Sequence, residues 1–275
     1  MLINPIYKNR GNKSEPTSYC PISLLSVVSK VFGRFVKKQL LPFFLDNNAI
    51  LDEQFGFLPG RSTLWQLLQV LERWQHALDV GGTIHALFLD VAKAFDRVDH
   101  GLLLSKLRSV GLGSTALKWV ASYLDGRRIC TSVDNLTSDF KPISSGVPQG
   151  SVLGPLLFLI YFRDIPSVMA STTAMFADDT LLYNAECDCC EEKPAASRTC
   201  TMVSDVSTLS RWAKEWNTVF NAAKSANIIV SRRRLTTAAA PLSMDDTVIS
   251  RPFVSKHLGV LLSDNCLGQT MLSFC

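Results

Sequence analysis

Asp178 and Asp179 stand side by side between two apolar, strand-like runs, Thr172 to Phe176 and Thr180 to Tyr183. Two adjacent carboxylates at a hairpin tip repel each other and cost free energy unless a cation neutralises them. Asp90 offers a third carboxylate, directly after the apolar run Ile84 to Leu89. Mg2+ typically takes one or two such carboxylates together with substrate phosphates. The donor set therefore points to two-metal phosphoryl transfer. Taken alone, an Asp-Asp pair is more often a solvated turn, so its meaning depends on its surroundings.

The elements that must position these groups follow from spacing. Residues 1 to 21 are polar, with Pro5, Pro16 and Pro21 as punctuation, and read as a loop. Leu24, Val28, Val31, Phe32, Phe35 and Val36 recur at helical spacing and predict an amphipathic helix over 23 to 40. Ser62 can cap a second helix whose stripe is Leu64, Leu67, Leu68, Leu71 and Leu78, and Gly81-Gly82 ends it. Ile84 to Leu89 reads as a buried strand. Helices follow over about 100 to 110 and 114 to 124, stopped by Gly111 and Gly126. A strand from Ile129 to Val133 leads to the loop Ser144 to Gly150, and an apolar helix begins near Pro155. Beyond the Asp-Asp hairpin, the pattern predicts a helix over 204 to 220 and a strand from Ala226 to Ser231. Val254 to Leu262 reads as a further strand pair with Gly259 at its turn. Helices mixed with few strands in non-alternating order predict an α+β fold.

With 275 residues, 47% hydrophobic and 19% charged, the chain can bury a substantial core and is not a disordered protein. Its net charge of +4 is compatible with a polyanionic partner without requiring one. The longest apolar run, Val152 to Phe162, is cut by Arg163 and Asp164 and reads as a buried helix, so no membrane association is expected. The 8 cysteines show no disulfide spacing, which fits an intracellular protein, nuclear or cytoplasmic. Cys187, Cys189, Cys190 and Cys200 could hold Zn2+, but their spacing matches no standard ligand pattern and a variable loop is the plainer reading. Trp119, Trp212 and Trp216 sit at helical positions and read as core residues. Arg232-Arg233-Arg234 reads as an exposed strand end that could touch a phosphate backbone.

Three segments occur in order: Leu89-Asp90-Val91-Ala92-Lys93-Ala94-Phe95-Asp96, Ser145-Gly146-Val147-Pro148-Gln149-Gly150-Ser151-Val152-Leu153-Gly154-Pro155, and Phe176-Ala177-Asp178-Asp179. Together they resemble the reverse transcriptase domain of non-LTR retrotransposons. Supporting blocks are Tyr19 to Leu24, Gln54 to Phe57 with Gly60 to Thr63, Phe220 to Lys224, and His257 to Val260. The resemblance spans about residues 4 to 265. It implies a right-hand polymerase with fingers over 1–80, a palm over 81–265 whose antiparallel sheet packs on helices, and a short tail over 266–275. No thumb or endonuclease segment is visible.

The resemblance also implies roles. Asp90, Asp178 and Asp179 would be the metal-binding and catalytic carboxylates, holding two Mg2+ ions with Mn2+ as a substitute. Lys224 would protonate the departing pyrophosphate, although a solvated lysine is nearly as plain a reading. Phe95 would exclude a ribose 2′-hydroxyl, and its ring could equally pack in the core. Gln149 and Gly150 would contact the incoming nucleotide and the template. Implied partners are an RNA template, a DNA primer and deoxynucleoside triphosphates; no protein partner is implied. Three positions depart from the family. Cys20 stands where Arg is usual, and a thiol cannot replace a bidentate guanidinium. Leu58 stands where Arg or Lys is usual, and Arg163 where Asn is usual. The expectation is thus an RNA-directed DNA polymerase. The main alternative is a catalytically degraded remnant that binds nucleic acid. An RNA-templated RNA polymerase is disfavoured by Phe95 and by Phe176-Ala177-Asp178-Asp179.

Overall fold

The computed structural model describes residues 1–9, 11–134, 136–186, 195–232, 240–264 and 272–274. The chain opens with β1 (Leu2–Tyr7) and β2 (Tyr19–Leu24), then helices α1 (Val27–Asp46) and α2 (Thr63–Asp79). Next come β3 (Thr83–Leu89), α3 (His100–Ser109) and α4 (Ser114–Leu124). β4 (Arg128–Val133), β5 (Leu136–Thr137) and β6 (Lys141–Pro142) precede α5 (Gly154–Tyr161) and α6 (Ile165–Val168). The hairpin β7 (Thr172–Phe176) and β8 (Asp179–Glu186) is followed by α7 (Ala195–Glu215) and β9 (Ala226–Ser231). β10 (Ser243–Met244), β11 (Thr247–Val248), β12 (Val254–His257), β13 (Val260–Ser263) and β14 (Leu272–Phe274) complete it. The mixture of helices and antiparallel sheets is the α+β class expected. Among the described residues no helix is long and apolar enough to cross a membrane.

The chain forms two interleaved compact units. One comprises residues 1–50 and 93–163, the other 51–92 and 164–275.

In the first unit β1 pairs antiparallel with β2, from Leu2 opposite Leu24 to Tyr7 opposite Tyr19, and parallel with β4. The loop expected over 1 to 21 is therefore largely strand. Prolines do not prevent this, because Pro5 lies opposite Pro21 and the pair has no amide hydrogens to leave unsatisfied. Strand β2 also shortens the expected 23–40 helix at its start: Leu24 belongs to the sheet, and Ser26 caps α1 by accepting from the Ser29 amide. The stripe predicted for this helix is not its buried face. Val28 is 78% and Phe35 63% exposed, whereas Gly33, Leu40 and Phe44 are buried. The core of this unit is α5, buried at every position except Pro155, with Leu103 and Leu107 of α3 also enclosed. Lys106 of α3 is buried too, and its ammonium donates to the Tyr161 carbonyl.

In the second unit four strands form an antiparallel sheet in the order β7-β8-β3-β9. Helix α2 covers one face. Ser62 caps it as expected, accepting from the Trp65 amide. The buried face is Leu67, Val70, Trp74, Ala77 and Leu78, packed with Ile84, Ala86, Phe88, Leu181 and Tyr183. Leu64 and Leu68 of the predicted stripe are exposed, so the true stripe is rotated towards Val70 and Trp74. Gly81, at positive φ, ends the helix, and the Gly82 amide donates to the Ala77 carbonyl at 2.8 Å. Helix α7 lies nine residues earlier at its start than the 204–220 expected and stops at Glu215, where Asn217 takes a left-handed conformation. Its Asp205 is buried and accepts from the Ala170 and Ser171 amides, pinning the entry to β7. The predicted hairpin at 254–262 is β12–β13, turning at Leu258 and Gly259, both at positive φ. Leu272–Phe274 pairs with β13, where only a tail was expected. Cys187, Cys189 and Cys190, and with them the Zn2+ alternative, lie outside the described residues, as do Arg233 and Arg234. Arg232 pairs with Asp79 at 2.8 Å.

Candidate active site

The acidic site belongs to the second unit and is a product of strand register. Leu89 of β3 lies opposite Thr180 of β8. Asp90, one residue past Leu89, and Asp179, one residue before Thr180, therefore lie at the same end of the sheet. β7 and β8 close with Phe176 opposite Asp179, leaving Ala177-Asp178 as a two-residue turn.

That turn is strained and is held from outside. Ala177 has φ +58, a conformation that favours glycine. Gln54, itself buried, accepts from the Ala177 amide at 2.8 Å and from the Gly56 amide at 2.7 Å. Its own amide donates to the Ala177 carbonyl at 3.4 Å. Residues 53–55 run beside β7, with the Met175 amide donating to the Glu53 carbonyl and the Phe55 amide to the Met175 carbonyl. Gly56 is obligatory here, since a Cβ would sit 2.3 Å from the Ala177 nitrogen. Neither role was legible in the spacing, because Gln54 and Gly56 lie 123 and 121 residues before Ala177 in the chain.

Asp90 is fixed through its backbone. Its amide donates to the Ser225 hydroxyl at 3.2 Å, and its carbonyl accepts from the Asn221 amide at 2.8 Å. The carboxylate is left to face Lys224, whose Nζ is 3.8 Å away. Both side chains are substantially exposed, so the pair contributes only about 0–1 kcal/mol to stability. The same segment thus brings Lys224 to Asp90.

Two of the carboxylates respond to their charged neighbours. Burial raises the Asp178 carboxyl above its ordinary range; its own backbone hydrogen bond opposes this and the Asp90 charge adds to it. Asp179 keeps exposed surface, yet its carboxyl is pushed up to about 6 by lost hydration, then by Asp178 and Asp90. Among the described residues no three His, Cys, Asp or Glu side chains form a ready-made ion cage. The donor set nevertheless fits Mg2+: three mutually repelling carboxylates with one lysine beside Asp90 offer hard oxygens to an ion that completes its shell with water and substrate phosphates.

The residues expected on the substrate side lie in the first unit. Phe95 sits in a single helical turn, Ala94–Arg97, entered through Lys93 at φ +52. One face of its ring stacks on Phe158 with centroids 4.6 Å apart, and the residue as a whole is half-buried. The core reading of Phe95 is therefore correct for that face. The Ser145–Gly150 loop is tied to this turn: the Val147 amide donates to the Phe95 carbonyl at 2.8 Å and the Gly146 amide to the Val98 carbonyl at 2.7 Å. Gly146 has φ +88, and a Cβ there would lie 2.8 Å from the Asp96 carbonyl oxygen. Gln149 accepts from the Ser23 amide through its carbonyl, and Gly150, at φ +100, passes close to the Ser23 carbonyl.

The departures from the family pattern have local explanations in part. Arg163 donates to the Ala49 and Asn48 carbonyls and so closes the chain after α1. Leu58 is buried, where a charged side chain without a partner would be costly. Cys20 is a half-buried free thiol in β2; nothing in the structure explains it. Of the three tryptophans, Trp212 is core, while Trp119 and Trp216 are half-buried.

An antiparallel sheet with acidic residues at one end and a helix packed on one face is the arrangement expected of a polymerase palm. Residues 7–257 match the family model described as reverse transcriptase (RNA-dependent DNA polymerase), and the chain belongs to that family. It is 35% identical over 268 residues to a protein of Drosophila melanogaster named "Probable RNA-directed DNA polymerase from transposon X-element", covering 95% of this chain and 28% of that protein. It is 32% identical over 266 residues to the RNA-directed DNA polymerase from mobile element jockey of the same fly, covering 94% and 28%. The chain thus spans about a quarter of the length of these relatives, and the resemblance to non-LTR retrotransposon enzymes holds. Among solved structures, telomerase from Candida tropicalis in complex with a fragment of telomeric RNA has the same fold, with TM-score 0.59 and 10% identity, covering 94% of this chain and 43% of that one.

Proposed function

We propose that the chain is the fingers and palm of an RNA-directed DNA polymerase, adding deoxynucleotides to a primer 3′ end on an RNA template. We assign residues 1–80 to the fingers and 81–265 to the palm. The observation that supports this most directly is the gathering of Asp90, Asp178 and Asp179 at one end of the β7-β8-β3-β9 sheet, with Lys224 on Asp90. The carboxylates would hold two Mg2+ ions, which when bound lower the pKa of the primer hydroxyl and neutralise the leaving pyrophosphate.

The remaining work falls to the chain itself. Gln54 keeps the strained Ala177-Asp178 turn in register, so that the two acidic side chains stay at the sheet end. Ser225 and Asn221 fix the Asp90 backbone. Lys224 is an ammonium within reach of the acidic site and serves as proton donor to pyrophosphate. Phe95, anchored by Phe158 on one face, excludes a ribose 2′-hydroxyl with the rest of its ring. Gln149 and Gly150 contact the incoming nucleotide and the template.

Primer extension with deoxy- and ribonucleotides side by side tests this reading. Template-dependent products from deoxynucleotides are expected, and Phe95→Val is expected to raise ribonucleotide use about 10- to 100-fold relative to deoxynucleotide use. An unchanged ratio makes Phe95 a packing residue only. Cys20 favours the second reading, a remnant that binds nucleic acid without synthesis. Binding of primer–template with no extension, even with Cys20→Arg, would establish it.

A further inference from the structure

In the second unit a cavity of about 570 Å3 opens between α2, the 52–61 segment and β7. It extends from beside the middle of β7 to the end of the sheet opposite the carboxylates. Thr172 and Tyr183, which line it, form the pair at the far end of the β7–β8 ladder from Phe176 and Asp179. The two ends of that ladder are four residue steps apart, about 13 Å at roughly 3.3 Å per residue.

The cavity contains an unexplained polar group. Gln66 lines it and is 1% exposed, yet neither its amide nitrogen nor its amide oxygen has a partner. The buried hydroxyl of Thr173 on the same wall is likewise unpartnered. Buried amides are nearly always hydrogen-bonded, so an orphan on a cavity wall points to a partner from outside the chain. Around it stand a stacking surface and a cation. Trp65 is 59% exposed on the wall formed by α2, and about two turns further on Arg73 is exposed, bonded only weakly to the Tyr183 hydroxyl at 3.3 Å. The other arginine of the wall, Arg61, is committed to Asp52 and to the Gln54 carbonyl.

We propose that this cavity receives an unpaired base of a single-stranded nucleic acid. The side-by-side donor and acceptor of Gln66 match the edge of a base, with Thr173 adding a hydroxyl. Trp65 supplies the face on which a base stacks, and Arg73 reaches the phosphate beside it. Glu53, also on the wall, accepts from an exocyclic amino group. A peptide is the poorer occupant: the β7 edge to which an extended strand would add is already taken at Met175 by Glu53 and Phe55. The site goes beyond the polymerase reading and does not depend on it. It would hold a strand away from the chemistry.

The test uses the whole chain and single-stranded RNA oligonucleotides carrying 5-iodouridine, with uridine monophosphate as a second arm. Photocrosslinks are expected in the α2 peptide at Trp65. Trp65→Ala and Gln66→Leu are each expected to weaken oligonucleotide binding at least fivefold and to remove that crosslink. Gln66→Leu is near-isosteric and relieves the orphan amide, so it should raise the thermal midpoint of the ligand-free protein, which separates lost binding from lost folding. Competition by the monophosphate assigns the pocket to free nucleotides; competition by oligonucleotides alone assigns it to a strand. Crosslinks confined to other segments, with both variants binding as wild type, would overturn the proposal and leave a water-filled or peptide-filled cavity. A protein that fails primer extension but still crosslinks at Trp65 would refute the polymerase reading alone.

Discussion

The carboxylates hang from a regular sheet, whereas Phe95, Gly146, Gln149 and Gly150 hang from turns. In the second unit, ladder register brings Asp90 and Asp179 to one sheet end, and only the Ala177-Asp178 turn needs outside support. In the first unit the supporting backbone is irregular: Lys93, Gly146 and Gly150 all have positive φ, and a Cβ on Gly146 or Gly150 would fall 2.8 or 2.9 Å from a backbone carbonyl oxygen. Charge is thus positioned by repetitive hydrogen bonding, and the substrate-side groups by close backbone approach. The two modes should fail differently. Side-chain changes at the sheet end should remove chemistry and spare the fold, while changes in the turns should damage both.

The largest effect is expected at the carboxylates. Asp178→Asn or Asp90→Asn should lower primer extension by about a thousandfold or more, since each removes several kcal/mol of charge stabilisation. The thermal midpoint should hold or rise, because mutual repulsion is relieved. Retained activity in either variant, measured under single-turnover conditions, would remove that residue from the site.

Backbone supports come next, and they compare the two modes directly. Gly146→Ala places a methyl 2.8 Å from the Asp96 carbonyl at a positive φ and should cost about 2–4 kcal/mol of stability. Gln54→Leu leaves the Ala177 and Gly56 amides without their acceptor and should cost about 2–4 kcal/mol. The glutamine variant should also lose extension activity beyond what its lower stability explains. Denaturant unfolding alongside extension kinetics checks both; equal damage to activity from each would erase the distinction between sheet end and turn.

His257 probes the sheet beneath the carboxylates. Its ring packs on Phe88 of β3, and burial lowers its pKa from 6.5 to about 4. Between those values the unfolded chain binds the proton more readily, so stability should fall as pH drops from 6.5 towards 4. The loss attributable to this group is about 3 kcal/mol. Asp179 slopes the other way: its raised carboxyl contributes a loss of stability as pH rises from the ordinary carboxylate range through about 6. The informative quantity is therefore the difference between wild type and His257→Leu in metal-free buffer. Parallel pH profiles of the two proteins would show that His257 is not buried as a neutral ring.

Much of the candidate acidic site was legible before any coordinates, because acidic residues next to apolar strands declare themselves in one dimension. Asp90, Asp178 and Asp179 were found that way, and β3, β9 and the α2 cap followed from composition and spacing. Gln54 was not, since its function lies in bonds to a turn 123 residues away. The β1–β2 pair was hidden by its prolines, which read as loop punctuation until they face each other across a ladder. Hydrophobic periodicity failed in an instructive way. It identified α1 and α2 as amphipathic but chose the wrong rim of α2, and on α1 it chose a stripe that this chain leaves uncovered.

The smallest expected effect uses that contrast between helices. Val28 lies on the stripe predicted for α1 and Val70 on the observed buried face of α2, and one is 78% exposed and the other 3%. Burying a valine is worth about 1.5–3 kcal/mol, and a hydroxyl in its place without a partner adds a further penalty. Val70→Ser should therefore cost about 2–4 kcal/mol, whereas Val28→Ser should stay within about 0.5 kcal/mol, the usual range for surface positions. Equal losses in denaturant unfolding would mean that the α1 stripe is covered in solution, and a concentration-dependent midpoint would then identify a second copy of the chain as its cover. A neutral Val28→Ser beside a damaging Val70→Ser would instead show that the predicted stripe of α1 is an open face, whereas the core face of α2 lies beside its predicted stripe, a distinction set by tertiary contacts and absent from the pattern itself.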